Sequence, residues 1–299
     1  MTDLDAAADF IWRHARLLDR HRFAHLFLGA EADPVVRALR AYQNRDGGFG
    51  HALEPDIRTP TSQPGATMHV LEMLAEAGAF DDPMVGEVCD FLVSIARVDG
   101  GIPFVLPTAM DHPHAPWWQP ADESSVIQTA AHAAVLLEQR REHPWLDGAT
   151  AFCWERIESD RVEGSYGMRY AVAFLDAVPD EARAVAALDR IGPRLVEDGL
   201  VALDPADVTG EMFTPLHYSP RPELRSRRVF PPEAIDADLD VLAAGQQEDG
   251  GWTFPWPAWA PAVELDWRGY VTIDALKVLR ANGRLAPRAA GATRSRSRG

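Results

Sequence analysis

Three observations predict an all-α fold arranged as an α/α toroid, five to six helical hairpins with an inner and an outer ring of helices. Residues 43–49 read Q-x-x-D-G-G-aromatic, and residues 246–252 repeat the pattern. Each copy follows a stretch with apolar residues at helical spacing (Val36, Leu39 and Tyr42; Leu239 and Leu242) and leads through a proline-bearing loop into another. No stretch reads as a strand. Repeated helix pairs bury their apolar faces on neighbouring pairs. Small residues are frequent after the turns (65–77, 125–137, 270–279), as a crowded inner ring requires. An open solenoid is the alternative arrangement of the same pairs.

In chain order, residues 5–28 read as one amphipathic helix with Phe10, Ile11, Leu17, Leu18, Phe23, Leu26 and Phe27 on its apolar stripe. Asp33 and Pro34 provide a cap and a first-turn proline for a helix running to Gln43. Ser62 and Pro64 open the next, which ends at Gly78, and Asp82-Pro83 opens another. Asp99-Gly100-Gly101-Ile102 keeps the D-G-G of the turn and lacks its glutamine. A proline-rich loop with Trp117-Trp118 follows. Helices are then predicted over 123–142, from Pro144, over 166–178 and over 179–196; Asp198-Gly199-Leu200 is a fainter echo of the turn. Residues 204–232 are irregular and rich in proline. A helix over 233–245, the second full turn, an aromatic loop and a last helix over 267–282 complete the chain. Residues 1–285 are expected to form one domain. Residues 286–299, rich in Arg, Ala, Gly and Ser without periodicity, are expected to be a disordered tail.

The 299 residues include 29 basic and 45 acidic side chains, a net charge of −16, which disfavours nucleic acid and anionic membranes as partners. Cys89 and Cys153 lie in apolar helical runs without metal-binding spacing, so they read as small buried hydrophobes; no metal and no cofactor is expected. No apolar run reaches spanning length, so stable membrane insertion is not expected. Residues 1–9 are acidic and lack a basic-then-apolar leader pattern, which points to the cytoplasm.

The Q-x-x-D-G-G-aromatic turn resembles the glycine–tryptophan repeat of squalene–hopene cyclases and related class II terpene cyclases. It is also similar to the repeat of protein prenyltransferase β subunits. The likeness is full at 43–49 and 246–252, partial at 99–102, and covers the architecture of residues 5–285. It implies a toroid with a central cavity and a small hydrophobic, isoprenoid-like substrate. The catalytic signatures of those families are where the chain departs. The string nearest to the cyclases' D-x-D-D acid is Asp236-Ala237-Asp238-Leu239-Asp240, on a helix leading into a glycine turn, and it reads as a solvated acidic face. The prenyltransferase zinc set of Asp, Cys and His is absent. So is the D-D-x-x-D of class I terpene synthases, since Asp81-Asp82-Pro83 reads as a helix cap.

In a toroid, the loops after the turns and the first residues of the inner helices face the cavity. That rule selects three segments. The first brings His51, Glu54, Asp56 and Arg58 to one mouth, although an ordinary polar loop has the same composition. The second holds Trp117 and Trp118, with Glu123 at a helix start. The indoles either cap the core or stack on a ligand and shield a cation, and Glu123 is equally a first-turn carboxylate. The third holds Trp256, Trp259, Glu264, Asp266, Trp267 and Arg268. In extended geometry Glu264 and Asp266 share a face, and two close carboxylates raise one pKa, as a general acid requires. A salt bridge from Arg268 that fastens the last helix is the structural reading. His217 and Tyr218 belong to a long loop of the kind that serves as a lid. His25, His69, His112, His114, His132 and His143 show no partner spacing and read as structural or surface residues.

Three functions follow. The first is an isomerase or cyclase in which a carboxylic acid among Glu54, Asp56, Glu264 and Asp266 starts reaction of an isoprenoid-like substrate. The second is a carbohydrate-active enzyme using a carboxylate pair, with tryptophans stacked on sugars. The third is a non-catalytic toroid that binds a partner at its mouth.

Overall fold

Proline and short polar caps set most of the helix starts. The computed structural model describes residues 2–210 and 212–285; the predicted tail lies outside the described residues. Twelve α-helices and no strand are found among the described residues. They are α1 (Leu4–His14), α2 (Leu17–Leu28), α3 (Asp33–Arg40), α4 (Pro64–Glu76), α5 (Pro83–Ile95), α6 (Val126–Glu138), α7 (Pro144–Glu158), α8 (Gly164–Ala177), α9 (Glu181–Glu197), α10 (Pro215–Tyr218), α11 (Pro232–Ala244) and α12 (Pro261–Ala281). Proline occupies the first turn of α4, α5, α7 and α12, where its missing N–H leaves no bond unmade. Asp3, Asp82, Ser125 and Asp180 accept first-turn N–H groups as N-caps.

Several boundaries differ from expectation. The single helix predicted over 5–28 breaks at Ala15, whose backbone is extended. The break lets the Arg16 guanidinium bond to Asp19 and to the Leu53 carbonyl, at 2.9 Å each. Helix α6 starts at Val126 because the Ser125 hydroxyl caps it, leaving Glu123 in the preceding loop. Helix α12 starts at Pro261, so Glu264 and Asp266 are helical. Four residues of the irregular 204–232 segment form α10.

The glycine turns share one construction. Asp46, Asp99 and Asp249 each accept the N–H of the second glycine, at 3.0, 3.1 and 3.1 Å. The next N–H, of Phe49, Ile102 or Trp252, donates to a threonine hydroxyl inside the following helix: Thr67 of α4, Thr129 of α6 and Thr272 of α12. The degraded copy at 99–102 is therefore complete in structure. The first glycines, Gly47, Gly100 and Gly250, have φ of 83°, 86° and 93°. A Cβ on them would lie 2.3, 2.3 and 2.1 Å from the carbonyl oxygens of Glu87, Gly148 and Ala6. Only glycine permits both that backbone and that approach. The three turns thus wedge against α5, α7 and α1 in the same way. Gln43 reaches Glu87, and Gln246 exchanges two hydrogen bonds with the Asp3 backbone.

One apolar core cluster runs from Ala7 to Leu279. Contacts lead from α4 to α6, α6 to α8, α8 to α10, α10 to α11 and α11 to α12, and α12 packs on α1 and α2. Gly250→Ala is expected to destabilise the protein by at least about 2 kcal/mol, combining backbone strain with a clash against the α1 backbone. Gly283→Ala, at φ 69° with nothing within 4 Å of the added Cβ, is expected to cost about 1 kcal/mol. Urea unfolding of the two variants checks the difference; equal losses would mean that the turn-to-α1 contact contributes nothing.

Candidate active site

The loop after the first turn folds inward because its backbone is tied at both ends. His51 N–H donates to Thr59 O, Arg58 N–H to Pro113 O, and Ala115 N–H to Asp56 O. Glu54 and Asp56 are left only 3% and 4% exposed. Asp56 N–H donates to Glu54 Oε1 at 3.0 Å, and Glu54 Oε2 lies 2.9 Å from His69 Nε2. On the far side of that imidazole, Glu72 Oε2 lies 3.5 Å from Nδ1 and accepts the Tyr270 hydroxyl at 3.0 Å. His69 and Glu72 come from α4 and Tyr270 from α12.

Burial alone would lower the pKa of His69, but hydrogen bonds and charge from Glu54 and Glu72 outweigh it and hold the group at about 9. Burial would raise Glu72; its bond to His69, with the charges of His69, Lys277 and Arg169, brings it down to about 2. Glu54, His69 and Glu72 therefore form a carboxylate–imidazolium–carboxylate row at neutral pH. Asp56 behaves in the opposite way. Burial, then the negative charge of Glu54, raises its pKa to about 6 against the opposing indoles of Trp267, Trp117 and Trp259. Trp267 Nε1–H donates to Asp56 Oδ1 at 3.0 Å.

Aromatic rings wall this carboxyl. Trp267 meets Trp256 edge-on at 5.3 Å, Tyr270 at 5.6 Å and the His69 ring at 6.2 Å. Trp259 packs on a satellite cluster of Ile57, Val105, Ala109, Ala115 and Trp118. Beyond His69 the side chains become charged. Arg22 of α2, 2% exposed, makes a two-pronged bond to Glu76 of α4 and a 3.1 Å bond to Asp19. Lys277 of α12 bonds to Glu76 and, at 2.9 Å, to Asp274. Glu72 and Lys277 lie deep among other helices yet keep 29% and 32% of their side-chain surface accessible. Glu72 of α4 and Lys277 of α12 thus present charged groups that solvent or a small molecule can reach.

The remaining sequence candidates fall into two groups. Arg58 stays near the site and pairs with Asp266 at 3.2 Å. Trp117 is 44% exposed at its rim. Glu264 is exposed. Two residues apart on a helix, it and Asp266 are separated by about 200° and do not share a face. Arg268 is a structural brace: it clamps Asp249 of the glycine turn through two bonds of 2.7 and 2.8 Å and covers the Phe10 ring. Those bonds hold the Asp249 carboxyl below its usual range. Trp118 is buried and stacked on Phe104 at 4.5 Å. Tyr218 is buried, donates to Leu200 O at 3.0 Å, and is raised to about 12 by burial. His51 is exposed and tied to Asn44, and Glu123 is exposed in its loop. The acidic string divides: Asp236 and Asp240 are surface partners of Arg284, whereas Asp238 is buried and accepts Leu216 N–H at 2.8 Å, fastening α10.

His69 and Tyr270 are the site residues that sequence reasoning passed over or left unassigned, together with Glu72, Arg22 and Lys277. A signal for them exists. Asp19 and Arg22, His69, Glu72 and Glu76, and Tyr270, Asp274 and Lys277 each recur at three- and four-residue intervals, a polar stripe along one face of a helix. Among the described residues no cluster of His, Cys, Asp and Glu is arranged to hold a metal ion, and no helix is long and apolar enough to cross a membrane.

No family model matches the chain, and no curated protein does. Among solved structures, it is similar to the crystal structure of a protein from Actinoplanes, with a TM-score of 0.57 at 18% identity over 94% of this chain and 98% of that one. That likeness concerns the fold alone.

Proposed function

We propose that the protein is an acid–base enzyme in which Asp56 transfers a proton to or from a small organic molecule held between the indole wall and the charged floor. The observation that carries this reading is the Asp56 carboxyl itself. It is raised to about 6 by burial and by the charge of Glu54, and it is hydrogen-bonded by Trp267. A carboxyl whose pKa sits near working pH is available both as acid and as base. When it gives up its proton, the Trp267 N–H stabilises the charge that develops. The Glu54–His69–Glu72 row keeps Glu54 in place and its charge beside Asp56.

The docking of all three glycine turns supports a closed α/α toroid, because the third turn meets α1 as the first two meet α5 and α7. In such a ring Asp56 stands at the mouth and the Arg22–Glu76–Lys277 network lines the interior. Nε1 of Trp256, Oε1 of Gln128 and Nε2 of His132 are buried without a hydrogen-bond partner among the described residues. Buried polar groups are normally satisfied, so unpaired atoms of this kind favour a substrate with hydroxyl or charged groups, such as a carbohydrate-like molecule, over a plain hydrocarbon. The ring faces of Trp256, Trp267 and Tyr270 favour a second reading, acid-initiated cyclisation or isomerisation of an isoprenoid-like substrate with the rings shielding a cation.

The test is product formation, followed by mass spectrometry, from aryl glycosides, uronate-containing oligosaccharides and linear polyprenes, with wild type and Asp56→Asn side by side. Turnover of a saccharide by wild type alone supports the first substrate class, and of a polyprene the second. Equal turnover by the variant removes Asp56 from the chemistry.

A further inference from the structure

The inner side of α8 carries a cation that no carboxylate neutralises at contact distance. Arg169 makes no hydrogen bond or ion pair with any described residue; its close neighbour is the Tyr170 ring, 5.4 Å from the guanidinium carbon. Burial works against its charge, and Tyr170, Tyr270, Glu72 and Asp274 act at longer range to keep it protonated. The two carboxylates among them are already committed, Glu72 to His69 and Tyr270, and Asp274 to Lys277. The residue is half-buried and its guanidinium nitrogens are not sealed into the protein, so a ligand can reach them.

Two further donors stand near it. His217 of α10 feels the positive charge of Arg169, which adds to burial in lowering its pKa to about 4. Its Nδ1 accepts the Thr214 N–H at 3.2 Å, so the neutral ring carries its proton on Nε2. The ring lies flat on Phe213 at 4.7 Å, which fixes where that N–H points. The His217 side chain is exposed. The Tyr170 hydroxyl likewise bonds to no described residue and is not sealed. Three donors with no acceptor among the described residues, one of them a full positive charge, form an arrangement suited to an anionic group.

We propose that Arg169, assisted by His217 and Tyr170, binds an oxyanion of the substrate, a carboxylate or a phosphate, in the chamber that Asp56 serves. The planar guanidinium offers two parallel N–H donors to such a group, and the imidazole and phenol add one each. The inference rests on the reading of the chamber as a substrate site and narrows it: the substrate is an acid, held by its charged end while Asp56 handles protons elsewhere on it.

The test needs no knowledge of the substrate. Inorganic phosphate, benzoate and neutral benzamide are titrated into the full chain at pH 7, with calorimetry for affinity and the ¹H–¹³C imidazole signals of His217 for location. Wild type is expected to bind one of the two anions saturably, with movement of the His217 signals, and to bind benzamide at least about tenfold more weakly. Preference for benzoate assigns a carboxylate; preference for phosphate assigns a phosphate. Arg169→Gln is expected to weaken the anion by about tenfold or more, and Arg169→Lys by less, since it keeps the charge and loses the fork. Asp56→Asn is expected to bind the anion as wild type does, so loss of catalysis and loss of anion binding report on separate claims. Failure of wild type to bind either anion overturns the proposal. So does a well-folded Arg169→Gln that binds as tightly as wild type, or anion binding that leaves the His217 signals still.

Discussion

Asp56→Asn is expected to lower kcat by about 10²–10⁴-fold while making the folded protein more stable above neutral pH. Both effects have one origin. The folded carboxyl has a pKa of about 6 against an ordinary value of 3.8, because burial and Glu54 disfavour its charge. A raised carboxyl contributes stability fully below the unfolded pKa of 3.8 and loses it as pH rises through about 6. The loss amounts to about 3 kcal/mol. Asparagine keeps an acceptor for Trp267 Nε1–H and carries no charge, so it escapes that loss. Urea unfolding at pH 5 and pH 8 should therefore show a variant that gains on wild type at the higher pH. Where Asp56 acts as the acid, wild-type kcat/KM should fall above about pH 6, and the variant should lack that limb. A variant that is both active and destabilised at pH 8 would show that Asp56 is an ordinary buried carboxylate.

His69→Gln is expected to abolish an alkaline loss of stability of about 3 kcal/mol that wild type shows between pH 6.5 and about 9. The histidine is raised from 6.5 to about 9 in the fold by its bonds to Glu54 and Glu72. A raised base contributes stability fully below its unfolded pKa and loses it as pH climbs through the folded one. Glu72, held at about 2, works in the other direction: its contribution is present above 4.5 and lost as pH falls through 2. The Asp56 titration is over by the time the His69 window opens, so the two can be read separately. Tyr270 and Trp267 also face the imidazole, and neither changes charge in that window. Chemical unfolding at pH 6.5 and pH 9.5 measures the effect, and a parallel decline in wild type and variant would mean that the row of three charges is not formed.

The parts of the fold that could be read from residues were those with local causes. Proline in the first turn, an aspartate before two glycines and the apolar spacing of helices each act within about one turn of chain, and those elements stand where they were expected. The break at Ala15 was not legible, since its reason is the Arg16 guanidinium reaching Leu53 in another segment. The early start of α12 was hidden because Trp267 read as the end of an aromatic loop with Trp256 and Trp259, whereas it lies within the helix. Of the site, Glu54, Asp56, Trp256, Trp259 and Trp267 were selected by position after a turn. His69 and Arg169 were not, because a lone histidine or arginine on an α-helix gives no sign of which way it faces.

By itself the chain determined an all-helical protein, the sites of its glycine turns and the loop that carries Glu54 and Asp56. These follow from backbone sterics and short-range hydrogen bonds, which the order of residues dictates. Tertiary structure alone decided which charges meet. Asp249 clamps Arg268 of the next helix, Arg22 finds Glu76, and Glu54 and Glu72 close on opposite nitrogens of His69. Arg169 is left without a carboxylate. Electrostatic partners lie up to two hundred residues apart and act through distance and burial, quantities that exist only once the helices have packed.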